Sequence, residues 1–249
     1  MATQLTHLAI IKELKNSNKQ LFDRLAMDYV CSGALFPDYC FFYWLCLNKR
    51  CGFENRMKNE KGIAFGKTLV VVSKSREELS FAVGVISHCV LDKHFHKYLK
   101  ENNLKKESHL AMELLYDCRY LNLDIPKLRC PKRFIERTLA ECYGYKQEKF
   151  GITRFGLNIY TLFLREIKNQ ILKKKYAGKR EASYVDLLAL LPKFKKMDMK
   201  KLLNPKLNNK EKHLKNLEIC YGRAVNECNK ILRAHSMAVS ISKATTGIA

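Results

Sequence analysis

Glycine and proline are scarce in this chain, 11 and 5 in 249 residues, so tight turns have little to work with and long helices have room to run. Apolar–polar alternation is also nearly missing, and the one strand-like run, Leu69-Val70-Val71-Val72, has no second strand nearby to pair with. No Cys-x-x-Cys pair occurs among the ten cysteines, which removes the usual zinc-ribbon and thiol-redox motifs. Their share of the chain is far below the roughly 8–10% of disulfide scaffolds, so they read as reduced core fillers. Long hydrophobic stretches are absent too. The thickest, Cys40 to Leu47, has eight residues, whereas a membrane-spanning helix needs about 18 or more. The first residues, Met1 to His7, carry neither the basic nor the apolar segment of a secretion signal; the expectation is a cytoplasmic protein.

What is present is the composition of a globular chain, 47% hydrophobic and 28% charged. Acids are outnumbered: 46 Lys and Arg against 24 Asp and Glu give a net charge of +22, which favours anionic partners such as phosphates, nucleic acid or acidic lipid. Part of that excess sits in Lys173–Lys175 with Lys179 and Arg180, and in Lys193, Lys195, Lys196, Lys200 and Lys201. No aromatic residues are interleaved there in the manner of a single-strand binding surface.

Leu5, Leu8, Ile11 and Leu14 recur at helical spacing and describe a first helix that closes near Asn16-Ser17-Asn18. A second helix is expected over 19–31, and a third with Pro37 at its start, which would put Asp38 in its first turn. A polar connection over 48–61 precedes helices at 63–72 and 77–99. Ser108 is a candidate cap for a helix closing near Asn122, and further helices are expected at 131–143, 151–175, 183–191 and 207–237. The expectation is a single all-α multi-helix bundle over 1–249. Its chemistry lies in about 1–120, supporting helices occupy 121–237, and residues 238–249 form a disordered tail.

Three of the seven histidines fall within nine residues beside an acid, as His88-x3-Asp92-x3-His96 with His94 between. Positions four apart differ by about 40° in azimuth and 6 Å in rise, so His88, Asp92 and His96 line one face while His94 points away. The stripe is about 12 Å long, too long for all three to grip one ion at zinc bond lengths near 2 Å. A second pair, His109-x3-Glu113, has the same spacing on the next expected helix. An antiparallel turn would join His96, His109 and Glu113 into a two-histidine, one-carboxylate zinc site, leaving His88 and Asp92 to seed another. The bland alternative, surface pairs four apart on a solvated helix, is countered by the apolar neighbours Phe81, Val83, Val85, Ile86, Val90 and Leu91: polar groups on a buried helix need partners. His213 and His235 have no acid at helical spacing and read as surface residues.

With these residues in view, the segment Ser87 to His96 followed by His109 and Glu113 resembles the zinc-dependent phospholipase C family, in particular its shorter bacterial members without a signal. Thr6-His7 through Lys12, and Gly33 through Asp38 ahead of an aromatic helix, are similar to the same family. The resemblance implies an all-α bundle of the phospholipase C and nuclease type. It implies zinc as the cofactor, with one to two ions expected and three possible. His96, His109 and Glu113 would bind one ion, Asp38, His88 and Asp92 would contribute to a second, and His7 with Asp92 would hold a third. The family's pattern has a further histidine after the Pro-Asp helix; here that place is taken by Lys58.

The activity so implied is hydrolysis of phosphate esters, a metal-bound hydroxide attacking phosphorus with Asp38 positioning or deprotonating the water. The expected partners are a phosphate-containing small molecule or phospholipid head group, with peripheral contact to an anionic membrane face. Two alternatives stay open: a catalytically degenerate member that binds metal and an anionic ligand, suggested by Lys58, and a nucleic-acid-binding or nuclease relative.

Overall fold

The computed structural model describes residues 4–47, 59–104, 112, 116–144, 160–162, 165, 168–169 and 210–246. These are helical with connecting turns, and no strand occurs among them. In chain order they form α1 (Gln4–Ser17), α2 (Lys19–Phe22), α3 (Met27–Leu47), α4 (Asn59–Val72), α5 (Arg76–Glu101), a 3-10 helix (Cys118–Tyr120), α6 (Lys132–Tyr143) and α7 (Lys210–Thr246). No described helix is long and apolar enough to cross a membrane. Ser108, the expected helix at 183–191 and both Lys-rich runs lie outside the described residues. The last helix continues to Thr246, past the expected end at 237.

The bundle is organised around α5, which packs against α3, α4, α7 and α1. Its start is well specified. Ser75 caps it by accepting a hydrogen bond from the Glu78 N–H at 3.2 Å, and the Glu78 carboxylate reaches back to the Lys74 N–H at 2.6 Å, a reciprocal arrangement close to a capping box. Beyond the cap, Phe81, Val85, Ile86, Cys89, Val90, Leu91, Phe95 and Leu99 are all buried. That set covers nearly the whole circumference, as befits a helix surrounded on several sides.

Other boundaries differ from the sequence reading as well: α4 begins at Asn59, inside the stretch expected to be a polar connection, and two changes near the start of the chain are larger. The helix expected over 19–31 breaks after Phe22 and resumes at Met27. The break is stabilised from α5: the Ala26 N–H donates to Ser80 Oγ at 2.8 Å and the Leu25 carbonyl accepts from Arg76 at 2.9 Å, so the backbone groups released by the break find new partners. The helix expected to begin at Pro37 begins ten residues earlier, at Met27, and Pro37 lies inside α3. Interior proline costs about 3 kcal/mol. Burial of Val30, Ala34, Leu35, Phe36, Tyr39 and Cys40 on either side of it, at up to about 1.5–3 kcal/mol per large apolar side chain, outweighs that. Asp38 is therefore mid-helix, not in a first turn.

The α3–α5 crossing is made by glycine on glycine. A Cβ built on Gly84 would stand 2.0 Å from the Val30 carbonyl oxygen and 2.6 Å from the Ala34 nitrogen, and one on Gly33 would stand 2.0 Å from the Phe81 carbonyl oxygen. Only a pair of residues without side chains lets the two backbones meet this closely. The crossing lies one turn before His88 on α5 and five residues before Asp38 on α3, so it sets the register in which those two side chains face each other.

Candidate metal centre

His7 from α1, Asp38 from α3, and His88, Asp92 and His96 from α5 come together at the depth fixed by this crossing. The His7 and His88 rings stack with centroids 3.8 Å apart and planes 15° from parallel. Asp92 lies against three imidazoles: one oxygen is 3.4 Å from His7 Nε2, the other 3.2 Å from His88 Nε2 and 3.4 Å from His96 Nε2. Asp38 Oδ2 sits 3.9 Å from His7 Nε2. Exposure grades across the group, from 1% for the His7 and His88 side chains and 8% for Asp38 to 23% for Asp92 and 34% for His96. Among the described residues the centre thus has a buried floor at His7 and His88 and a more exposed side at Asp92 and His96.

Hydrogen bonding orients the floor. His88 Nδ1 lies 2.7 Å from the Ala34 carbonyl oxygen; a carbonyl can only accept, so Nδ1 carries the hydrogen and Nε2 is turned toward Asp92. A backbone carbonyl behind the outer nitrogen is the usual support of a histidine that ligates a metal. The electrostatics follow the geometry. Burial alone would push Asp92 up, but the charges of His88 and His96 and hydrogen bonds from His7 and His88 hold it well below the usual carboxylate range. Burial and the neighbouring His88 lower His7. For His88, burial works downward, yet Asp92, Asp38 and the Ala34 carbonyl raise it above the ordinary histidine value. The two stacked imidazoles therefore shift in opposite directions, His7 downward and His88 upward, because His88 is the nearer of the two to the Asp92 charge.

Asp38 Oδ2 is buried without a hydrogen-bond partner among the described residues. A buried carboxylate oxygen left so costs free energy unless a cation or a proton reaches it. One ligand atom each from His7, His88 and Asp92 lie within 4.8 Å of one another, and imidazole nitrogen with carboxylate oxygen is a donor set suited to zinc. The residues present therefore fit a divalent metal ion, and Asp38 stands where it would meet that charge.

Of the residues singled out by sequence, His7 stands in one group with His88 and Asp92, its ring against His88. His96 joins through Asp92. His109, Glu113 and Lys58 lie outside the described residues. His94 turns away from the centre and pairs with Glu227 of α7 at 2.8 Å, while Lys93 bridges Glu60 of α4 and Glu227 at 2.8 and 2.9 Å. His213 is not a free surface histidine: its Nδ1 is 2.7 Å from the Tyr98 hydroxyl. A groove of about 600 Å³ between α1, the 3-10 helix and α7, lined by Lys12, Tyr120 and Tyr221 among others, includes none of the centre's five residues. The residue that sequence reasoning passed over is Asp117, whose buried carboxylate binds the first turn of α1. Its signal was legible, since it continues the four-residue spacing of His109 and Glu113.

An all-α bundle holding a buried histidine–carboxylate cluster with an orienting carbonyl defines a class, helical proteins built around a candidate metal centre. Within that class, the model of the family described as zinc dependent phospholipase C matches residues 6–170, more than half of the chain, and the chain belongs to this family. The matched stretch begins one residue before His7 and includes every candidate ligand, while α7 lies beyond it. No curated protein and no solved structure matches the chain.

Proposed function

We propose that the chain is a phosphoric ester hydrolase of the phospholipase C kind, in which His7, His88 and Asp92 hold zinc and Asp38 lies beside it. The observation that supports this reading is the convergence of those three donors within 4.8 Å of one another, with a buried Asp38 oxygen that lacks a hydrogen bond 3.9 Å from His7 Nε2. When bound, zinc supplies a Lewis acid that neutralises charge developing on phosphoryl oxygens and lowers the pKa of water.

The chain's own residues do the rest. The Ala34 carbonyl fixes the His88 ring, and Asp92 holds two further imidazoles in place. The floor is dry, with the His7 and His88 side chains 1% exposed and Asp38 8%. Asp38 accepts the proton of the attacking water at Oδ2. The phosphate ester enters at the more exposed side formed by Asp92 and His96, drawn by a net charge of +22. The substrate is a phosphate-containing small molecule or a phospholipid head group met at an anionic membrane face.

The test is zinc content per chain on protein purified without added metal, followed by hydrolysis of bis(p-nitrophenyl) phosphate. At least one zinc per chain and chelator-sensitive turnover are expected; absence of both overturns the reading. A second reading, metal retained without turnover, is favoured by Lys58 at a place where the family's pattern has histidine. A charged ammonium has no lone pair for zinc, so Lys58→His is expected to add about one zinc and to raise turnover. An unchanged stoichiometry would show that Lys58 does not occupy a ligand position.

A further expectation concerns protons. The proton on His88 Nε2 occupies the lone pair that zinc needs. Its folded-state pKa is raised above 6.5, so near that pH zinc binding should release about one proton per ion, and zinc affinity should fall as the pH drops below that raised value. Calorimetric titration in buffers of different ionisation enthalpy measures the released proton; buffer-independent heats would contradict it.

A further inference from the structure

His7 is held by more than its own helix. Thr6, the residue before it, is bound twice by Asp117. Asp117 Oδ1 accepts from the Thr6 N–H at 2.9 Å and from the Thr6 hydroxyl at 2.6 Å, and Oδ2 accepts from the Leu5 N–H at 3.3 Å. These amides belong to the first turn of α1, where no carbonyl of the same helix can reach them, and a carboxylate there also meets the positive end of the helix. Asp117 and Thr6 are both buried, so water does not compete.

A cap taken from the neighbouring sequence would satisfy the same amides. This one comes from 111 residues away and is referenced to the centre. Tyr116, beside Asp117, packs edge-on against Phe95 of α5 with ring centroids 5.2 Å apart, and Phe95 precedes His96. Asp117 thereby measures the start of α1 against the helix that carries His88, Asp92 and His96.

We propose that Asp117 is a positioning residue for the metal centre: its grip on Leu5 and Thr6 sets the rotation and depth of the first turn of α1, and so holds His7 against His88 and Asp92. The importance of this for catalysis rests on reading the centre as a zinc site; the positioning itself does not.

Two measurements separate the claims. In metal-free protein, the ring-proton NMR shifts of His7 report its stack on His88 through the ring current. In zinc titrations against a chromophoric chelator, affinity reports the assembled centre. Asp117→Ala should abolish the ring-current shift and weaken zinc binding about 10–100-fold, the range found when supports of metal ligands are lost. Asp117→Asn, which keeps an oxygen for Thr6, should retain the shift and most of the affinity. Ile135→Val, a core change in α6, should lower stability and move neither. A folded Asp117→Ala protein with an unchanged His7 shift overturns the proposal. If that variant does not fold, Thr6→Val decides by the same shift, partial loss supporting the proposal and no change overturning it. A parent chain that binds no zinc would instead overturn the metal reading, and the ring shift would still decide the role of Asp117.

Discussion

Asp92→Asn is expected to weaken zinc binding by more than about 100-fold, beyond the range for losing a residue that merely supports a ligand. Asp92 is the carboxylate that three imidazole nitrogens approach within 3.2–3.4 Å. Asparagine has nearly the same shape, so the bundle and its circular dichroism should persist. It carries no charge, however, and turns an N–H2 donor toward one of those nitrogens. Hydrolysis of bis(p-nitrophenyl) phosphate should fall with the metal. The same variant should also lose the proton released on zinc binding near pH 6.5, because the charge that chiefly raises His88 is gone. A variant that binds zinc as tightly as the parent would remove Asp92, and with it the centre, from the chemistry.

The second large effect lies away from the charged groups. In an exposed helix interior, glycine to alanine is stabilising by up to about 1 kcal/mol, and that sign should hold for Gly222 of α7, where an added Cβ meets nothing within 4 Å. At Gly84 the sign should reverse. An added Cβ meets the Val30 carbonyl oxygen at 2.0 Å, a backbone atom that cannot rotate out of the way, so α3 and α5 must separate. Overpacking of this kind costs about 3 kcal/mol, which for a chain of this size lowers the melting temperature by about 6–12 °C. Separation also stretches the bond from His88 Nδ1 to the Ala34 carbonyl, so zinc affinity should drop together with stability. Thermal denaturation of Gly84→Ala beside Gly222→Ala measures both signs; equal melting temperatures would refute the account of the crossing.

The helical class was legible because it is written locally: few glycines and prolines, scarce apolar–polar alternation, and Leu5, Leu8, Ile11 and Leu14 at helical spacing. The stripe His88, Asp92, His96 was legible for the same reason, since a 3.6-residue period places positions four apart on one face whatever surrounds them. Local rules misled at Pro37 and at the break after Phe22. At Pro37 the burial of neighbours such as Phe36 and Tyr39 overrides the proline penalty, and at the break Ser80 and Arg76 of α5 supply hydrogen bonds that no sequence window around residues 22–26 contains.

What the sequence by itself determined is thus the helical class, the apolar face of α1 and the donors on α5, because each depends on residues a few positions apart. Which donors meet was decided only by the tertiary structure. His7 and His88 are 81 residues apart and stack where α1 meets α5, the start of α1 being bound by Asp117, while two glycines bring α3, which carries Asp38, against α5. Helical spacing predicts neighbours along one helix; neighbours between helices depend on how closely the backbones approach and on where buried polar groups find their partners.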